Sequence, residues 1–460
     1  MKKSTIDRQL ANEVLLRQIR DKAYPEHVLQ GLFRKASYPG EIKARATSLV
    51  FGILREQGYV DFILKHFIHR NFKKLEHQVL VSLRLGTYEL VINESHSHSS
   101  VDQAVSLLHP KQRKQRGLVN AVLRKVAQAQ NKNELPSPSR DNLEPSEYRE
   151  NRWSLPRWVQ TKISPLLSDE ELDRWAQFQL TIPKPVLRIN TNKTTEETMM
   201  KHWEQAEIAL KPHACIPNAF NLVSGGFIQE LPGYHNGLWA IQDPAAQLVS
   251  LMAPLEEVKF ALDMCAAPGG KTCHLAELLK PESKVLALDI HENKLGLIQK
   301  NVERLSLSNI LVESVDSREY DEVSQRLKKH HFPSQVDLIV LDAPCSGLGT
   351  LRRNPDIKWK HPPQGLPTLQ RELLSSAHHL LRPGGHLIYA VCTPALEETD
   401  EVVGHFLEEF KNYRIIKPQT TLLRPFVESS SRLNQQPVVR TWSHRDHCDS
   451  FFAVLLQKLP

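Results

Sequence analysis

The chain has 460 residues, of which 40% are hydrophobic and 24% are charged, values ordinary for a globular protein that folds in water. No apolar run reaches the length of a membrane span, and the six cysteines, which form no CxxC pair, predict neither a zinc site nor a disulfide framework. The formal net charge of +7 is compatible with a polyanionic partner. We expect about two to four domains. Because the Met1-Lys2-Lys3 start leads into an amphipathic pattern rather than a signal peptide, we also expect a cytoplasmic protein without a membrane partner.

Residues 1–127 show the apolar spacing of α-helices throughout. Leu10, Val14, Leu15 and Ile19 recur at intervals of four and five residues, and later segments repeat the helical spacing. This pattern predicts an all-α bundle. His96 and His98 are interpreted as loop histidines, because no further ligand stands at a fitting spacing, and no metal site is predicted.

A basic run precedes the last predicted helix of the bundle. Such a run is either a solvated surface or a grip on phosphate groups. The candidate RNA contacts in it are Lys111, Arg113, Lys114 and Arg116.

The composition changes after the bundle. Residues 128–151 are rich in Asn, Ser, Pro and Glu and nearly lack large aliphatic side chains, which predicts a linker. Residues 152–236 combine amphipathic stretches with a short β-branched strand, VLRINTNKTT. On that strand Arg188, Asn190 and Lys193 are predicted to contact phosphates or base edges, although a polar strand edge has the same pattern.

Residues 237–460 alternate strand and helix patterns. This alternation predicts a parallel α/β sheet of the Rossmann-like type, with ligands bound at the carboxyl ends of its strands. The predicted strands cover 258–263, 284–289, 310–315, 336–341 and 386–391, and Phe451 to Leu459 could add an antiparallel edge strand. Four carboxyl groups at or near strand ends predict a shared crevice: Asp263, Asp289, Asp316 and Asp342.

The first of these strands runs into a glycine turn, FALDMCAAPGGKT at 260–272. A strand, a glycine turn and a helix start form a cradle for an anionic ligand group, although the turn could simply join strand to helix. The phosphate-loop pattern would require glycine at Cys265, and GxGxxG is absent. S-adenosylmethionine fits, with its carboxylate at the turn and its ribose at Asp289. The candidate cofactor residues are Cys265, Ala266, Ala267, Pro268, Gly269, Gly270, Lys271, Asp289, Asp316 and Asp342.

Two later segments, LDAPCSGLGTLRRNPDIKW and IYAVCTP, each place a cysteine just past a buried strand. A thiolate that adds to carbon 6 of cytosine makes carbon 5 nucleophilic enough to accept a methyl group. A second thiol can assist release, and an acid near nitrogen 3 stabilises the developing charge. Cys345, Cys392 and Asp342 supply these groups, although a lone strand-end cysteine is often only a small buried side chain. Arg352, Arg353 and Lys358 follow directly and are predicted to contact the substrate backbone.

Two family resemblances follow from these segments. RATSLVFGILRE, LRLGTYEL, VDQAVSLL and GLVNAVLR resemble the NusB-type RNA-binding fold, whereas CAAPGGKT, DAPCSG, RRNPDIKW and YAVC resemble the NOL1/NOP2/Sun family of RNA cytosine-5 methyltransferases. The second resemblance implies S-adenosylmethionine as cofactor, Cys392 as nucleophile and Cys345 as the residue that promotes product release. Together they imply a monomer acting on 16S ribosomal RNA, free or in an early small-subunit particle.

The predicted fold is therefore multidomain. It comprises an all-α NusB-like bundle (1–127), a linker (128–151), a small α+β RNA-recognition region (152–236) and an α/β Rossmann-like S-adenosylmethionine-dependent methyltransferase domain (237–460). The alternative function is a non-catalytic RNA-binding factor. A third hypothesis is RNA-stimulated ATP hydrolysis, but the sequence has Cys265 where the phosphate-loop pattern requires glycine. The sequence departs from the family pattern at Val391-Cys392-Thr393, where Thr-Cys-Ser is usual, and at Ser450, where glycine is usual.

Overall fold

The computed structural model describes residues 5–68, 71–224, 226 and 228–460, so the Met1-Lys2-Lys3 start lies outside the described residues. The chain forms two compact units. The first, here called the helical unit, comprises residues up to 182 together with residues 351–362. The second, here called the sheet unit, comprises residues 183–350 and 363–460.

The helical unit is built from amphipathic helices that bury one apolar stripe each. Leu10, Val14 and Leu15 are at most 6% exposed, which confirms the predicted helical spacing. Its described helices are α1 (Ile6–Asp21), α2 (Pro25–Lys35), α3 (Gly40–Phe67), α4 (His77–Val91), α5 (Ser97–Ser106), α6 (Arg113–Lys132), α7 (Pro145–Arg152), α8 (Arg157–Ile163) and α9 (Asp169–Phe178).

Two sequence predictions for this unit need correction. His98 is not a loop residue but lies within α5. Its Nδ1 is 3.6 Å from the Oδ2 of Asp102, one turn later in the same helix. The predicted linker is shorter at both ends, because α6 continues to Lys132 and α7 begins at Pro145. The polar composition of this segment reflects solvent-facing helix ends as well as irregular chain.

The sheet unit begins with a small antiparallel sheet. Its strands are β1 (Val186–Ile189), β2 (Ala209–Pro212), β3 (Ala219–Ser224) and β4 (Trp239–Ile241), in the order β2-β3-β1-β4, and α10 (Glu196–Gln205) connects β1 to β2. Apolar residues of these strands form a core of their own with Trp203 and Trp239, both at most 1% exposed. The predicted α+β region thus divides, since residues up to 182 belong to the helical unit.

A mixed nine-stranded sheet forms the rest of the unit, in the order β11-β12-β13-β9-β8-β5-β6-β7, with β10 paired to β13. Its strands are β5 (Phe260–Asp263), β6 (Lys284–Asp289), β7 (Ile310–Ser314), β8 (Val336–Asp342), β9 (Leu381–Val391), β10 (Tyr413–Ile415), β11 (Val427–Ser430), β12 (Gln436–Thr441) and β13 (Phe451–Lys458). The accompanying helices are α11 (Pro244–Leu251), α12 (Gly270–Leu278), α13 (Glu292–Leu305), α14 (Tyr320–Lys329), α15 (Leu366–Leu380), α16 (Asp400–Glu409) and α17 (Ser443–Asp446).

Strands β9, β8, β5, β6 and β7 run parallel, which confirms the predicted Rossmann-like sheet. Neighbouring residues of β5, Ala261 and Leu262, belong to two different apolar clusters, so the sheet is buried on both faces. Strand β13 is antiparallel to β9, as predicted, but it is not an edge, because β12 pairs with its other side.

The chain passes from β5 outward to β6 and β7, and then returns to β8 on the other side of β5. This reversal leaves a crevice at the carboxyl ends of β5 and β8, where ligands bind in sheets of this kind.

Candidate active site

Two cysteines meet at the carboxyl ends of neighbouring parallel strands. Cys345 follows β8 and Cys392 follows β9, and their Sγ atoms lie 3.3 Å apart. Both are half-buried and both line a cavity of about 830 Å³. The sequence prediction that these two thiols share one crevice therefore agrees with the geometry.

The two thiols have different surroundings. The hydrogen bond to Cys392 raises the pKa of Cys345 well above its usual value, and burial and the carboxylate of Glu398 act in the same direction. Cys345 therefore carries its proton at neutral pH. Because the thiolate is the nucleophilic form of cysteine, a thiol of this pair must lose its proton before it can attack.

Asp342, the last residue of β8, faces a half-buried cation. Its Oδ2 accepts a hydrogen bond of 2.5 Å from the Nζ of Lys271, at the start of α12. Burial lowers the pKa of Lys271, but the charge and hydrogen bond of Asp342 outweigh it, and the net pKa is raised. Lys271 thus stays charged and supplies the countercharge for Asp342 in the cavity.

The backbone of the Cys392 loop is hydrogen-bonded to that of a neighbouring loop. The N–H of Gly349 donates to the carbonyl oxygen of Cys392 at 3.0 Å, and the N–H of Ser450 donates to the carbonyl oxygen of Gly349 at 3.0 Å. The hydroxyl of Ser450 accepts the N–H of Ser443 at 3.1 Å. The serine that replaces the usual glycine is therefore accommodated within this buried network.

Three of the four strand-end carboxyl groups line the large cavity: Asp289, Asp316 and Asp342. Asp263 does not. It is 1% exposed and accepts a 2.6 Å hydrogen bond from the hydroxyl of Thr272, and burial raises its pKa to about 7. The prediction of one crevice shared by four carboxyl groups is corrected to three, because β5 ends deeper in the sheet unit.

The predicted cofactor residues of the glycine turn line two separate cavities. Cys265 and Ala267 line the large cavity, whereas Gly269 and Gly270 line a separate cavity of about 200 Å³. Gly269 has a φ of +98°, and a Cβ there would lie 3.1 Å from Ile298, so only glycine fits the turn without strain. Ala266 anchors the turn by donating its N–H to the carbonyl oxygen of Leu288 at 2.7 Å. The carbonyl of Pro268 accepts from Asn301 at 3.2 Å.

Two predicted RNA contacts, Arg188 and Asn190, are buried within the sheet unit. Arg188 is 4% exposed, pairs with the carboxylate of Glu277 and donates to Gln242 at 2.7 Å. Asn190 is 1% exposed and donates to the carbonyl oxygen of Gly237 at 3.1 Å. Their predicted role in RNA contact is corrected to a structural one, because their polar atoms are used inside the protein.

Lys358 requires the same correction. It belongs to the helical unit, is 1% exposed, and donates from Nζ to the carbonyl oxygen of Arg55 at 2.8 Å. Burial lowers its pKa to about 7. Arg352 is half-buried, with its guanidinium 4.4 Å above the ring of Phe178, and Arg353 is exposed.

Other predicted RNA contacts lie on the surface. Arg113 and Lys114 are exposed at the start of α6, and Lys111 is exposed just before it. Arg116 is half-buried and donates to the carbonyl oxygen of Leu108 at 2.7 Å. Lys193 is exposed, with its Nζ 2.8 Å from the carbonyl oxygen of Asn236.

Four residues at or near the site were not among those predicted from the sequence. Ile290 and Arg318 line the cavity beside two predicted carboxyl groups, and Gln370 and Glu398 lie behind the cysteines. Ile290 and Arg318 follow Asp289 and Asp316 by one and two residues, and proximity to a strand end could have indicated them. Gln370 and Glu398 join the site only through folding.

Comparisons with known proteins follow the same division of the chain. The NusB family matches residues 5–128, and the family described as 16S rRNA methyltransferase RsmB/F matches residues 249–457. The ribosomal RNA small subunit methyltransferase B of Shigella flexneri is 30% identical over 422 residues, which cover 89% of this chain and 91% of that protein. The chain belongs to the RsmB/F family of 16S rRNA methyltransferases.

Two further comparisons cover nearly the whole chain. A probable ribosomal RNA small subunit methyltransferase B of Bacillus subtilis is 29% identical over 470 residues and covers 100% of both chains. The crystal structure of PH0851 covers 99% of this chain and 100% of its own, with a TM-score of 0.78 at 21% identity, which shows a shared fold.

The RsmB/F methyltransferases depend on S-adenosylmethionine, which confirms the cofactor predicted from the sequence. The residues fit this group. The large cavity combines carboxylates that can accept hydrogen bonds from hydroxyl and ammonium groups with apolar surface from Ile290 and Leu369. Asp289 already accepts backbone N–H groups from Ala267 and His291, at 3.1 and 2.9 Å, and these bonds fix its orientation toward the cavity.

Two further features concern the described residues of this RsmB/F methyltransferase. No helix there is both long and apolar enough to cross a membrane. In the same residues, no group of three or more His, Cys, Asp or Glu side chains is arranged to hold a metal ion.

Proposed function

We propose that the enzyme methylates carbon 5 of a cytosine in 16S rRNA through a covalent bond between Cys392 and carbon 6 of the base. The observation that carries this proposal is the 3.3 Å separation of the Cys345 and Cys392 Sγ atoms beside Asp342, in the cavity that fits the cofactor. Transfer to a base nitrogen or a ribose hydroxyl has no use for two adjacent thiols.

The two cysteines have different proposed roles, attack for Cys392 and product release for Cys345. Cys392 attacks carbon 6 as a thiolate, which makes carbon 5 electron-rich. When bound, S-adenosylmethionine supplies the methyl group as an electrophilic sulfonium. After transfer, water in the cavity accepts the proton of carbon 5, the electron pair of that bond re-forms the double bond between carbons 5 and 6, and Cys392 leaves as a thiolate. The Sγ of Cys345 lies 3.3 Å from that of Cys392, within reach of an adduct formed there, which supports its assignment to this release step.

Asp342 and Lys271 are proposed to interact with the cytosine ring. The negative charge that develops at ring nitrogen 3 when Cys392 adds is stabilised by the protonated form of Asp342, which donates to that nitrogen, and by the nearby positive charge of Lys271. The 2.5 Å hydrogen bond from Lys271 holds this carboxyl group in the cavity. The other predicted cofactor residues, Cys265 to Gly270, Asp289 and Asp316, are proposed to shape and hold the cofactor site.

The exposed cations at the start of α6 are proposed to hold flanking RNA. Arg113 and Lys114 stand in the first turn of a 20-residue helix that has no acidic residue there. Basic side chains at a helix N-terminus oppose the helix dipole, so a bound phosphate relieves an unfavourable arrangement. We propose that the protein acts as a cytoplasmic monomer on rRNA, with the target cytosine unstacked from its neighbours.

Methyl transfer from labelled S-adenosylmethionine to unmodified small-subunit RNA tests this function in the parent and in Cys392→Ala and Cys345→Ala. We expect no transfer by Cys392→Ala. We expect Cys345→Ala to accumulate a denaturation-resistant RNA adduct, because methylation proceeds but release does not. Cys215→Ala, which changes an exposed cysteine, is the control and should match the parent.

Other outcomes select other functions. An adduct in Cys392→Ala, with none in Cys345→Ala, would reverse the two roles. A parent that binds RNA but transfers no methyl group would favour the non-catalytic RNA-binding factor.

A further inference from the structure

A buried carboxyl group stands behind the two cysteines. Glu398 follows Cys392 by six residues, on a short 3₁₀ turn (Leu396–Glu398), and is 1% exposed. Its Oε2 accepts the backbone N–H of Ser346 at 2.8 Å and the Nε2 of Gln370 at 3.1 Å. The hydroxyl of Tyr389 donates to its backbone carbonyl oxygen at 2.6 Å, which fixes the turn itself.

These contacts bracket Cys345 on both sides. Ser346, the residue after Cys345, is held by Glu398. Pro344, the residue before it, accepts a 2.8 Å hydrogen bond from the same Nε2 of Gln370 that reaches Glu398. The backbone on either side of the thiol is thus tied to one carboxylate.

The same cluster reaches the second cysteine. The hydroxyl of Ser346 donates to the hydroxyl oxygen of Thr393 at 2.9 Å, and Thr393 directly follows Cys392. Thr393 also accepts the N–H of Ala395 at 3.3 Å and is fully buried. The threonine that replaces the usual serine therefore keeps the hydroxyl that links the two cysteine loops.

We propose that Glu398 is a positioning residue that holds the Cys345 loop in register with Cys392. It does so through Ser346 and Gln370 and touches neither thiol in a hydrogen bond. Because this role concerns the release step, it rests on the proposed function. The Glu398 carboxylate accepts two hydrogen bonds, from the Ser346 N–H and from Gln370. Without Glu398, the buried Ser346 N–H would have no acceptor, and we expect the Cys345 backbone to move as a result.

The test compares the full-length chain with Glu398→Ala and Glu398→Gln, using the adduct and thiol reactivity as readouts. We expect Glu398→Ala to accumulate the RNA adduct at least tenfold above the parent, with unchanged S-adenosylmethionine affinity. We expect Glu398→Gln, which keeps an oxygen acceptor of the same shape, to lie near the parent in adduct accumulation. Glu397→Ala removes a neighbouring half-buried carboxyl group and is the matched control.

Alkylation of Cys345 by iodoacetamide gives a readout without RNA. Loss of the Ser346 anchor should raise the alkylation rate of Cys345 about tenfold, which corresponds to loss of one hydrogen bond to a charged group. Exposed Cys215, read by mass spectrometry in the same sample, is the internal reference.

The outcomes separate the two proposals. If Cys345→Ala accumulates adduct and Glu398→Ala does not, the positioning role is wrong and the proposed function stands. If Cys345→Ala accumulates no adduct, the proposed role of Cys345 in release fails. A loss of cofactor affinity in Glu398→Ala, or equal defects in Glu398→Gln and Glu398→Ala, would also overturn the positioning role.

Discussion

The backbone N–H of Gly349 donates a 3.0 Å hydrogen bond to the carbonyl oxygen of Cys392. This bond joins the loop after Cys345 to the loop that carries the proposed nucleophile. The approach is so close that a Cβ at Gly349 would overlap the carbonyl oxygen of Ser450 and lie 2.9 Å from that of Cys392. Both obstacles are backbone atoms, which cannot move as a flexible side-chain end can.

Gly349→Ala should therefore damage the site. We expect a loss of about 1–3 kcal/mol in the free energy of unfolding, typical of overpacking a buried region, and a larger fractional loss of methyl transfer. Urea unfolding and the transfer assay measure the two effects. Gly296→Ala is the control, since nothing lies within 4 Å of its Cβ and it stands within α13; it should stabilise the chain by about 0.5–1 kcal/mol.

Arg188 and Glu277 form a buried ion pair whose side chains are 5% and 2% exposed. Arg188→Met leaves the Glu277 carboxylate buried without a countercharge, and we expect a cost of about 3–5 kcal/mol. Arg188→Met combined with Glu277→Leu should recover most of it, because both charges are then absent. Urea unfolding of the two variants measures the difference. A cost below about 1 kcal/mol for the single change would show that Glu277 finds another partner.

The salt dependence of RNA binding should distinguish exposed from buried cations. Lys114→Ala at the start of α6 should reduce the slope of log affinity against log salt by about 0.7–0.9 if the residue contacts one phosphate. Lys358→Met should leave the slope unchanged, because its Nζ is used inside the helical unit. Filter binding of small-subunit RNA across a salt series provides the measurement. A reduced slope for Lys358→Met would restore the RNA contact predicted from its sequence.

Asp263 should make the sheet unit less stable as the pH rises. Burial raises its pKa from 3.8 to about 7, so between these values the folded chain holds a proton that the unfolded chain has released. The free energy of unfolding should therefore fall relative to that of Asp263→Asn as the pH increases from about 4 to about 7. Urea midpoints at several pH values test this.

Thr272→Val provides a second variant for that experiment. The Thr272 hydroxyl donates to Asp263 and lowers its pKa, so its removal should extend the pH-dependent interval upward. A constant difference between the parent and Asp263→Asn across the pH range would contradict the raised pKa.

The mixed sheet and the crevice were predictable because their signals are local. The alternation of strands and helices is set by hydrophobic spacing over about ten residues, and it predicted five parallel strands and their carboxyl ends. Carboxyl ends of parallel strands share an edge, so Cys345, Cys392 and Asp342 could be assigned to one crevice before their distances were known.

Polar residues were less predictable, because their roles depend on partners far along the chain. The local sequence around Arg188, and that around Lys358, is equally compatible with RNA contact and with burial. Their partners Glu277 and Arg55 are 89 and 303 residues away, and only folding brings them together. Glu398 is similar, since its contact with Ser346 spans 52 residues.

The sequence by itself thus determined the element order, the glycine turn, the cofactor class and the two cysteines, because each depends on neighbouring residues or on a parallel sheet. The tertiary structure alone decided which charged side chains reach solvent. It also decided that Asp263 lies outside the lining of the crevice and that Glu398 accepts the backbone N–H of Ser346, the residue after Cys345. These depend on desolvation and hydrogen bonding between distant segments, whose free energies local sequence does not specify.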